Sequence, residues 1–359
     1  MSVIVLSAGG TGGHLFPAQA LAGVLARRGR RIVVMTDARF ANYATAFPGA
    51  QIETVPSSPL NAIAAPFKIM AGIAIAFAKL LKLRPAAVVG FGGYPSVPVM
   101  VAANLARLPT AIIEQNAVVG RANRLVMNQV KVMAAAFPIA RFAPADRSKI
   151  VLTGNPLRPE VEALWGAPYD APQAGGPLRL LVFGGSQGAR AMSEIVPPAL
   201  TQLPHEFKTR LSVVQQCRPE DLETVRRIYA NAEISCELQP FFSDLPKRMA
   251  DSHLVIARSG AGTVAELMAI GRPAILVPLP GALDDNQTPN ADILAHAEAG
   301  WRMAQADLTP DVLARMLVKI FAEPRDLVRR AACAHAIAVP HAAERLADVV
   351  ENLANRRAA

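Results

Sequence analysis

The sequence predicts an α/β protein with two doubly wound parallel sheets. Three observations support this. The 359 residues exceed what one ordinary core accommodates, so two domains are expected. The composition, 52% hydrophobic and 18% charged, suits sheets that are covered by helices on both faces. Short β-branched runs alternate with longer helical patterns, and this alternation starts again near the middle of the chain.

The first half contains six predicted strands separated by helix-like stretches such as 17–28 and 97–106. The strands are expected at residues 3–6, 32–35, 52–55, 87–89, 110–113 and 150–152. Proline and glycine then become dense, which is typical of an interdomain linker. The second half has predicted strands at 178–183, 211–214, 254–257 and 274–277. We therefore expect domains at 1–160 and 178–340, a linker at 161–177 and a C-terminal helical segment at 341–359.

Charge and cysteine content restrict the function. The net charge of +9 and pI of about 9.9 favour anionic partners such as phosphates, nucleic acid or an acidic membrane face. An aromatic content of 5% offers little for the stacking platforms of a single-strand nucleic-acid binder. The three cysteines show no metal or redox spacing. Neither a signal peptide nor an apolar run of ~18–20 residues is evident, which predicts a cytoplasmic protein.

Two glycine-rich loops follow predicted strands. Residues 9–14 read GGTGGH, and residues 184–188 read GGSQG, so both fit strand-Gly-Gly-Ser/Thr-x-Gly-helix. Such loops leave main-chain N–H groups open to an anion, and His14 can move a proton beside the first one. The alternative is two similar tight turns, the first with a capping histidine. We expect two Rossmann-like halves whose loops face one cleft.

A nicotinamide-dinucleotide enzyme is disfavoured. The dinucleotide fingerprint would need a glycine where Leu15 stands, and neither glycine loop has the Lys-Ser/Thr of a P-loop. Asp37 ends the second predicted strand, where an NAD-binding acid lies in such enzymes. Alone, an acid at this position is more often a cap or turn residue.

The strongest local signal is RSGAGTVAE at 258–266, which follows a strand and opens a helix. Its small residues would let a diphosphate approach the exposed N–H groups at the helix start. Glu266 lies three residues after Thr263, so it either completes a capping box or accepts hydrogen bonds from two ribose hydroxyls. Spacing alone does not separate these interpretations, but the two other glycine loops favour a ligand role.

Further polar residues follow strands, where open α/β sheets place ligands. Glu114 and Asn116 end one strand, and Gln287 lies in DDNQTPN at 284–290. Amides both donate and accept, as the recognition of sugar hydroxyls requires. A polar helix N-terminus explains the second group equally well. Arg158 lies in the predicted linker, where a solvated arginine is the commoner case.

Residues 66–84 form a basic amphipathic helical pattern. At about 100° per residue, Lys68, Lys79 and Lys82 share a stripe, and the opposite side carries Ile69, Ile73, Phe77, Leu80 and Leu81. This pattern fits a membrane interface. For the helix alone we favour the alternative, a surface helix whose apolar side covers the sheet.

Seven motifs occur in order and carry a resemblance over nearly the whole chain. They are GGTGGHLFPAQA (9–20), GFGGYPSVP (90–98), EQNAVVGRANR (114–124), GNPLR (154–158), GGSQGAR (184–190), RSGAGTVAE (258–266) and DNQTPNA (285–291). Together they resemble the MurG-type N-acetylglucosaminyltransferases of bacterial peptidoglycan synthesis, in glycosyltransferase family 28.

The resemblance implies a GT-B fold: two Rossmann-like domains facing an interdomain cleft, with the C-terminal helix crossing back to the first domain. The N-terminal domain would face the acceptor and the membrane, and the C-terminal domain would bind UDP-GlcNAc. The implied reaction transfers N-acetylglucosamine, with inversion, to the C4 hydroxyl of the muramoyl sugar of undecaprenyl-diphosphate-linked lipid I. The products are lipid II and UDP. Neither a metal nor another cofactor is implied.

The resemblance also implies residue roles. Ser186 would bind donor phosphate, Glu266 the ribose, and the main chain of Phe242 the uracil. Gln287 and Asn116 would read the sugar, while Arg158 completes the donor site. The glycine-loop residues near both diphosphates are Thr11, Gly12 and Gly13, and the helix start that offsets charge on departing UDP comprises Ala261, Gly262, Thr263, Val264, Ala265 and Glu266. This chain has Asn286-Gln287 where the family commonly has paired glutamines, in a loop about one residue longer.

The mechanism needs a base for the acceptor hydroxyl. We favour His14, with a pKa near neutral, and keep Glu114 as the second candidate. A polyprenyl-diphosphate acceptor makes 66–84 a docking surface for an anionic membrane, predicting a peripheral protein on the cytoplasmic face of the bacterial inner membrane. Proteins of the cell-wall and division machinery are candidate partners, and nucleic acid is not expected. The alternatives are a UDP-GlcNAc 2-epimerase, another GT-B transferase, or a basic nucleotide- or RNA-binding protein.

Overall fold

The computed structural model describes residues 2–9, 12–38, 47–58, 65–185 and 190–355. Within these ranges the strands are β1 (Val3–Ser7), β2 (Arg31–Thr36), β3 (Gln51–Thr54), β4 (Ala87–Gly90), β5 (Thr110–Glu114), β6 (Val132–Ala135), β7 (Ile150–Leu152), β8 (Leu178–Phe183), β9 (Leu211–Gln216), β10 (Ser235–Gln239), β11 (Leu254–Ala257), β12 (Ala274–Leu276) and β13 (Gly300–Arg302).

The helices follow the strands in near-regular alternation. They are α1 (Gly12–Arg27), α2 (Ala65–Leu83), α3 (Ser96–Leu105), α4 (Arg121–Val126), α5 (Pro159–Glu162), α6 (Arg190–Thr201), α7 (His205–Lys208), α8 (Leu222–Asn231), α9 (Leu245–Asp251), α10 (Ala261–Ile270), α11 (Gln287–His296), α12 (Pro310–Ala322), α13 (Pro324–Ala336) and α14 (Ala342–Asn355). Short 3₁₀ turns occur at Arg147–Lys149 and Leu283–Asp285.

The chain divides into two compact units. Unit 1 comprises residues 1–158 and 339–359, and unit 2 comprises 159–338. Each contains one parallel sheet, with the strand orders β3-β2-β1-β4-β5-β6-β7 and β10-β9-β8-β11-β12-β13. In each sheet the order reverses beside the unit's first strand, β1 or β8. The predicted fold class, two doubly wound α/β units, is confirmed, and such reversals are where open sheets bind ligands.

Helices cover both faces of the unit 1 sheet. Successive side chains of a strand point to opposite faces, so Ile4 and Leu6 pack with α1 and α14, whereas Val5 packs with α2 and α3. All three side chains are fully buried. This two-sided burial explains why the strands are apolar runs without alternation.

The last helix belongs to unit 1. Arg28 contacts Asp348 and Glu351 at 2.6 and 2.9 Å, and Arg30 contacts Glu351 at 2.7 Å. Beneath these ion pairs, Leu346 and Val350 are buried in the same cluster as α1. The chain therefore leaves unit 1 after residue 158 and returns to it at residue 339.

The segment predicted as a linker, 161–177, lies within unit 2. The buried Arg272 holds it there by donating to the carbonyls of Ala167 at 3.1 Å and Pro168 at 2.7 Å. The same guanidinium donates to the carbonyls of Ala250 and Ile270. Proline and glycine density marks an irregular segment, but side-chain hydrogen bonds from elsewhere in the unit can fix such a segment.

A buried histidine in unit 2 makes stability dependent on pH. His253 accepts the N–H of Arg179 at Nδ1, at 3.0 Å, and burial lowers its pKa to about 4. The unfolded chain, with an ordinary histidine pKa of about 6.5, therefore takes up the proton first as the pH falls. The contribution of His253 to the free energy of unfolding is therefore fully present above about pH 6.5, and it is lost progressively as the pH falls to about 4.

We expect the free energy of unfolding, measured with urea, to be lower at about pH 4.5 than at about pH 7.5. His253 should account for about 2 kcal/mol of this difference. The variant His253→Gln keeps an acceptor for Arg179 but cannot be protonated in this range. It should therefore lose less stability between these pH values than the parent protein. An identical loss in both proteins would show that His253 is not the group responsible.

Candidate active site

In unit 1, the residues after β1, β4 and β5 lie close together because these strands are neighbours in the sheet. His14 is the third residue of α1, which follows β1. Its ring lies against the loop after β4: a Cβ placed on Gly92 would be 3.4 Å from His14 Nε2 and 3.5 Å from Asn123 Nδ2. Gly92 and Gly93 have φ of 81° and 71°, a conformation that L side chains rarely adopt. The imidazole thus lies against bare main chain.

The pKa of His14 differs from the expectation of a near-neutral value. Burial, which disfavours the imidazolium, lowers the pKa to about 4. Its place in the first turn of a helix acts in the same direction, because that end carries partial positive charge. The side chain nevertheless keeps part of its surface exposed. At neutral pH the ring is therefore uncharged, although the lowered pKa also makes it a weaker base than an ordinary imidazole.

Glu114 is buried and surrounded by N–H donors. Its Oε1 accepts a hydrogen bond from the main-chain N–H of Asn116 at 3.0 Å. Its Oε2 accepts one from the main-chain N–H of Gly120 at 2.9 Å and one from the side-chain Nδ2 of Asn123 at 2.8 Å. Burial raises the pKa of this carboxyl, and the N–H donors oppose that shift. Both oxygens are engaged in shaping the 116–123 loop, which leaves Glu114 poorly placed to meet an incoming hydroxyl.

Asp37, which lies where an NAD-binding acid would be expected, contacts two neighbouring hydroxyl groups. It is buried, and its Oδ2 lies 3.3 Å from Ser57 Oγ and 3.4 Å from the Tyr94 hydroxyl oxygen. A carboxylate committed to such contacts suits a structural role at the end of β2. This agrees with the interpretation that disfavours a nicotinamide dinucleotide.

In unit 2, the start of α10 follows β11. Gly260 is the N-cap and provides no side-chain cap. The capping box considered for Thr263 and Glu266 is therefore wrong, because the helix begins two residues before Thr263. Main-chain N–H groups at an uncapped helix start attract anions. Ala261, Gly262 and Thr263 form this start.

Around the same helix, a Cβ on Gly262 would meet no atom within 4 Å, so this glycine borders open space. Val264 and Ala265 are buried and anchor α10 to the unit. Glu266 lies one turn further along and is half-buried. The helix start therefore offers room and N–H donors for a phosphate, with a carboxylate nearby.

Gln287 begins α11 and is held from two directions. Its Oε1 accepts the main-chain N–H of Leu279 at 3.0 Å, and its carbonyl accepts the buried Ser259 hydroxyl at 2.8 Å. Between them, Asp284 and Asp285 have φ of 59° and 48°, in the left-handed region.

The remaining predicted residues are divided between the two units. The Phe242 ring is buried beneath the Arg248 guanidinium, whose Cζ is 4.4 Å from the ring centroid, so the side chain serves packing. Arg158 lies over the Phe16 ring at 5.0 Å. Gly12 and Gly13 are the first residues of α1. Thr11 and Ser186 lie outside the described residues.

The membrane-docking face predicted on α2 is wrong in part. Leu80 is fully buried, and Ile73 and Phe77 pack against the same core cluster. Lys79 is paired with Glu53. The sequence pattern identified an apolar side correctly, but that side faces the sheet.

A second apolar stripe of α2 is exposed. Phe67 and Met70 are 80% and 69% exposed, and Leu81 lies on the same side at 53%. Lys68 and Lys82 flank this stripe and are exposed too. Sequence reasoning missed Phe67 and Met70, because two apolar sides on one helix blur the periodic signal.

A cavity of about 610 Å³ lies in unit 1 away from His14. It adjoins Thr110, the first residue of β5, and therefore the opposite edge of the sheet from Glu114. Among the described residues, no cluster of His, Cys, Asp or Glu could hold a metal ion. No helix within the residues that the structure describes is long and apolar enough to cross a membrane.

Known families match both units. The glycosyltransferase family 28 N-terminal domain matches residues 4–135, and the family 28 C-terminal domain matches residues 179–351. Two parallel-sheet units, with an uncapped helix start beside open space in the second, are features of a GT-B sugar transferase. The chain belongs to glycosyltransferase family 28.

Relatives within the family are similar over nearly the full length. One from Rhodopseudomonas palustris (strain ATCC BAA-98 / CGA009) is 51% identical, with 98% of each chain covered; it is named UDP-N-acetylglucosamine--N-acetylmuramyl-(pentapeptide) pyrophosphoryl-undecaprenol N-acetylglucosamine transferase. Another of that name, from Phenylobacterium zucineum (strain HLK1), is 48% identical, with 98% of this chain and 99% of the relative covered.

Solved structures share the fold. MurG of Acinetobacter baumannii superposes with a TM-score of 0.82 at 34% identity, covering 98% of this chain and 99% of that one. The UDP-GlcNAc 2-epimerase of Neisseria meningitidis, solved with UDP-GlcNAc, gives 0.68 at 12% identity and covers 98% and 100%. At that identity the second likeness shows the fold alone.

Proposed function

We propose that the protein transfers N-acetylglucosamine from UDP-GlcNAc to the C4 hydroxyl of MurNAc in undecaprenyl-diphosphate-linked MurNAc-pentapeptide, giving lipid II and UDP. The observation that carries this proposal is the 51% identity, over 98% of both chains, to a relative named for this transfer. The uncapped start of α10 beside open space supplies the phosphate site that the donor needs.

The donor is bound mainly by unit 2. The N–H groups at the start of α10 receive the diphosphate, and Glu266 accepts hydrogen bonds from the two ribose hydroxyls. The role proposed for Ser186 is to bind donor phosphate. The buried Phe242 ring leaves only its main chain to meet uracil. Gln287 reads the sugar hydroxyls.

The chemistry is a single displacement. The acceptor hydroxyl attacks the anomeric carbon while UDP departs, so the configuration inverts. His14, uncharged at neutral pH, takes the hydroxyl proton. The partial positive charge at the start of α10 stabilises the negative charge that develops on UDP, so the step proceeds without a metal.

Glu114 shapes the acceptor side instead of acting as a base. Its four main-chain and amide donors come from Asn116, Gly120 and Asn123, which span the loop beside His14. Asn123 also donates to the carbonyl of Ile113 at 3.0 Å. The carboxylate therefore fixes the loop against which the muramoyl sugar would lie.

A lipid-linked acceptor requires the protein to reach a membrane. The exposed apolar stripe of α2, with Lys68 and Lys82 beside it, has the composition of an interfacial anchor. It would place unit 1 against an anionic bilayer on the cytoplasmic face of the inner membrane, where proteins of the wall and division machinery could join it.

Replacing Phe67 and Met70 with serine is expected to weaken binding to phosphatidylglycerol-containing vesicles by about tenfold or more, because each buried side chain contributes about 1.5–3 kcal/mol when inserted. Binding of UDP should not change. Vesicle sedimentation measures the first quantity and calorimetry the second.

The matched control is Val328→Ser, which removes an apolar side chain exposed on α13 of unit 2. Charge reversal at Lys68 and Lys82 should also weaken binding, by more than about 1 kcal/mol for each lysine, because an attractive charge is replaced by a repulsive one. Undiminished vesicle binding by the Phe67 and Met70 variant would rule out α2 as the docking surface.

The proposed function is tested by following UDP release and nucleotide products. We expect UDP to form only when UDP-GlcNAc and a lipid I analogue are both present. Conversion of UDP-GlcNAc to UDP-ManNAc without acceptor would instead indicate an epimerase. Salt-dependent RNA binding without donor binding would indicate a nucleic-acid protein.

A further inference from the structure

The orientation of Gln287 is set by the loop before α11. Its Oε1 accepts the N–H of Leu279 at 3.0 Å. In a primary amide the oxygen and nitrogen occupy opposite branches, so a held oxygen fixes the direction of the two N–H donors. Gln287 is therefore preset to donate hydrogen bonds to a ligand.

A buried arginine holds this loop. Arg258 Nη1 donates to the carbonyls of Val277 at 3.1 Å and Pro278 at 3.0 Å, the two residues directly before Leu279. The Arg258 side chain is buried, and desolvation lowers its pKa. A charged group is costly to bury unless its donors are satisfied, so its contacts fix its geometry.

The third contact of Arg258 comes from outside every sequence motif. Its Nη2 donates to Gln305 Oε1 at 2.6 Å, and Gln305 lies in the turn after β13. Within the described residues, the buried Nε of Arg258 has no hydrogen-bond partner. Gln305 thus holds Nη2 of the guanidinium, while the two carbonyls hold Nη1.

We propose that Gln305 is a positioning residue for recognition of the donor sugar, acting through Arg258 and the 277–279 main chain on Gln287. This inference rests on the proposed function, in which Gln287 contacts the sugar of UDP-GlcNAc. Without the Gln305 acceptor, the guanidinium rotates, the Leu279 N–H shifts, and the Gln287 amide loses its fixed orientation. Discrimination between sugars that differ in one hydroxyl then falls.

The test compares kcat/KM for UDP-GlcNAc and for its C4 epimer UDP-GalNAc, with a lipid I analogue as acceptor. Gln305→Leu removes the acceptor oxygen, and Gln305→Glu keeps it. Gln305→Asn shortens the side chain by one methylene, which moves the acceptor oxygen away from Arg258. The control is Gln173→Leu, at an exposed position of the same unit. Melting temperature and UDP affinity are measured for every variant.

We expect Gln305→Leu and Gln305→Asn to lower the preference for UDP-GlcNAc by about tenfold, the effect of one lost directional hydrogen bond. Gln305→Glu and Gln173→Leu should keep the preference, and UDP affinity should stay within about twofold for all variants. A merely structural role would lower the melting temperature and UDP affinity without changing the preference. Unchanged preference in both Gln305→Leu and Gln305→Asn would overturn the inference. Failure of the proposed function is distinct, because the unaltered protein would then give no transfer from UDP-GlcNAc.

Discussion

Replacing His14 with alanine is expected to lower kcat by about 10²–10⁴-fold, the usual contribution of a positioned general base. UDP affinity should be retained, because the diphosphate site at α10 belongs to unit 2. The measurement is steady-state transfer to a lipid I analogue together with calorimetric binding of UDP. Near-normal turnover of this variant would show that another group takes the proton.

The pH dependence provides the second part of this test. With the pKa of His14 lowered to about 4, the base stays in its proton-accepting form far below neutral pH. The rate should therefore remain nearly constant from about pH 8 to about pH 5, whereas an ordinary histidine would halve it near pH 6.5. Glu114→Gln should leave this profile flat while lowering the melting temperature, because an amide N–H₂ would then face N–H donors.

Replacing Gly262 with valine is expected to raise the KM for UDP-GlcNAc by at least about tenfold. The new side chain would project into open space beside the first N–H groups of α10, where the diphosphate approaches. Folding should be preserved, since no atom lies within 4 Å of the added Cβ.

The matched control is Ala230→Val, which adds similar bulk at an exposed position of α8 in the same unit. It should leave both KM and melting temperature nearly unchanged. Equal KM values for Gly262→Val and the parent protein would show that the start of α10 is not part of the donor site.

The strands that could be predicted are mostly those with β-branched runs, because such side chains favour the pleated surface of a sheet. Three strands were missed. The segment Val132–Ala135 is mostly alanine and methionine, Ser235–Gln239 is a polar edge strand, and Gly300–Arg302 is only three residues long. Their pairing depends on neighbours that a local pattern does not reveal.

The candidate phosphate site at RSGAGTVAE could be proposed from the sequence, because small residues after a strand leave the main-chain N–H groups of a helix start accessible. The site was not predictable where long-range contacts decide. The near-neutral pKa expected for His14 ignored burial, and the docking face of α2 depended on which apolar side met the sheet. Gln305 carried no motif at all, since its importance comes from one hydrogen bond across 47 residues.

The most direct test of the account is the structure of the product. Incubation of the protein with UDP-GlcNAc and a lipid I analogue should give a species heavier by one N-acetylhexosamine, as detected by mass spectrometry. Its new anomeric proton should show the large coupling constant of a β-linkage, because displacement inverts the α-configured donor. An α-linkage, or no transfer by folded protein, would contradict the account.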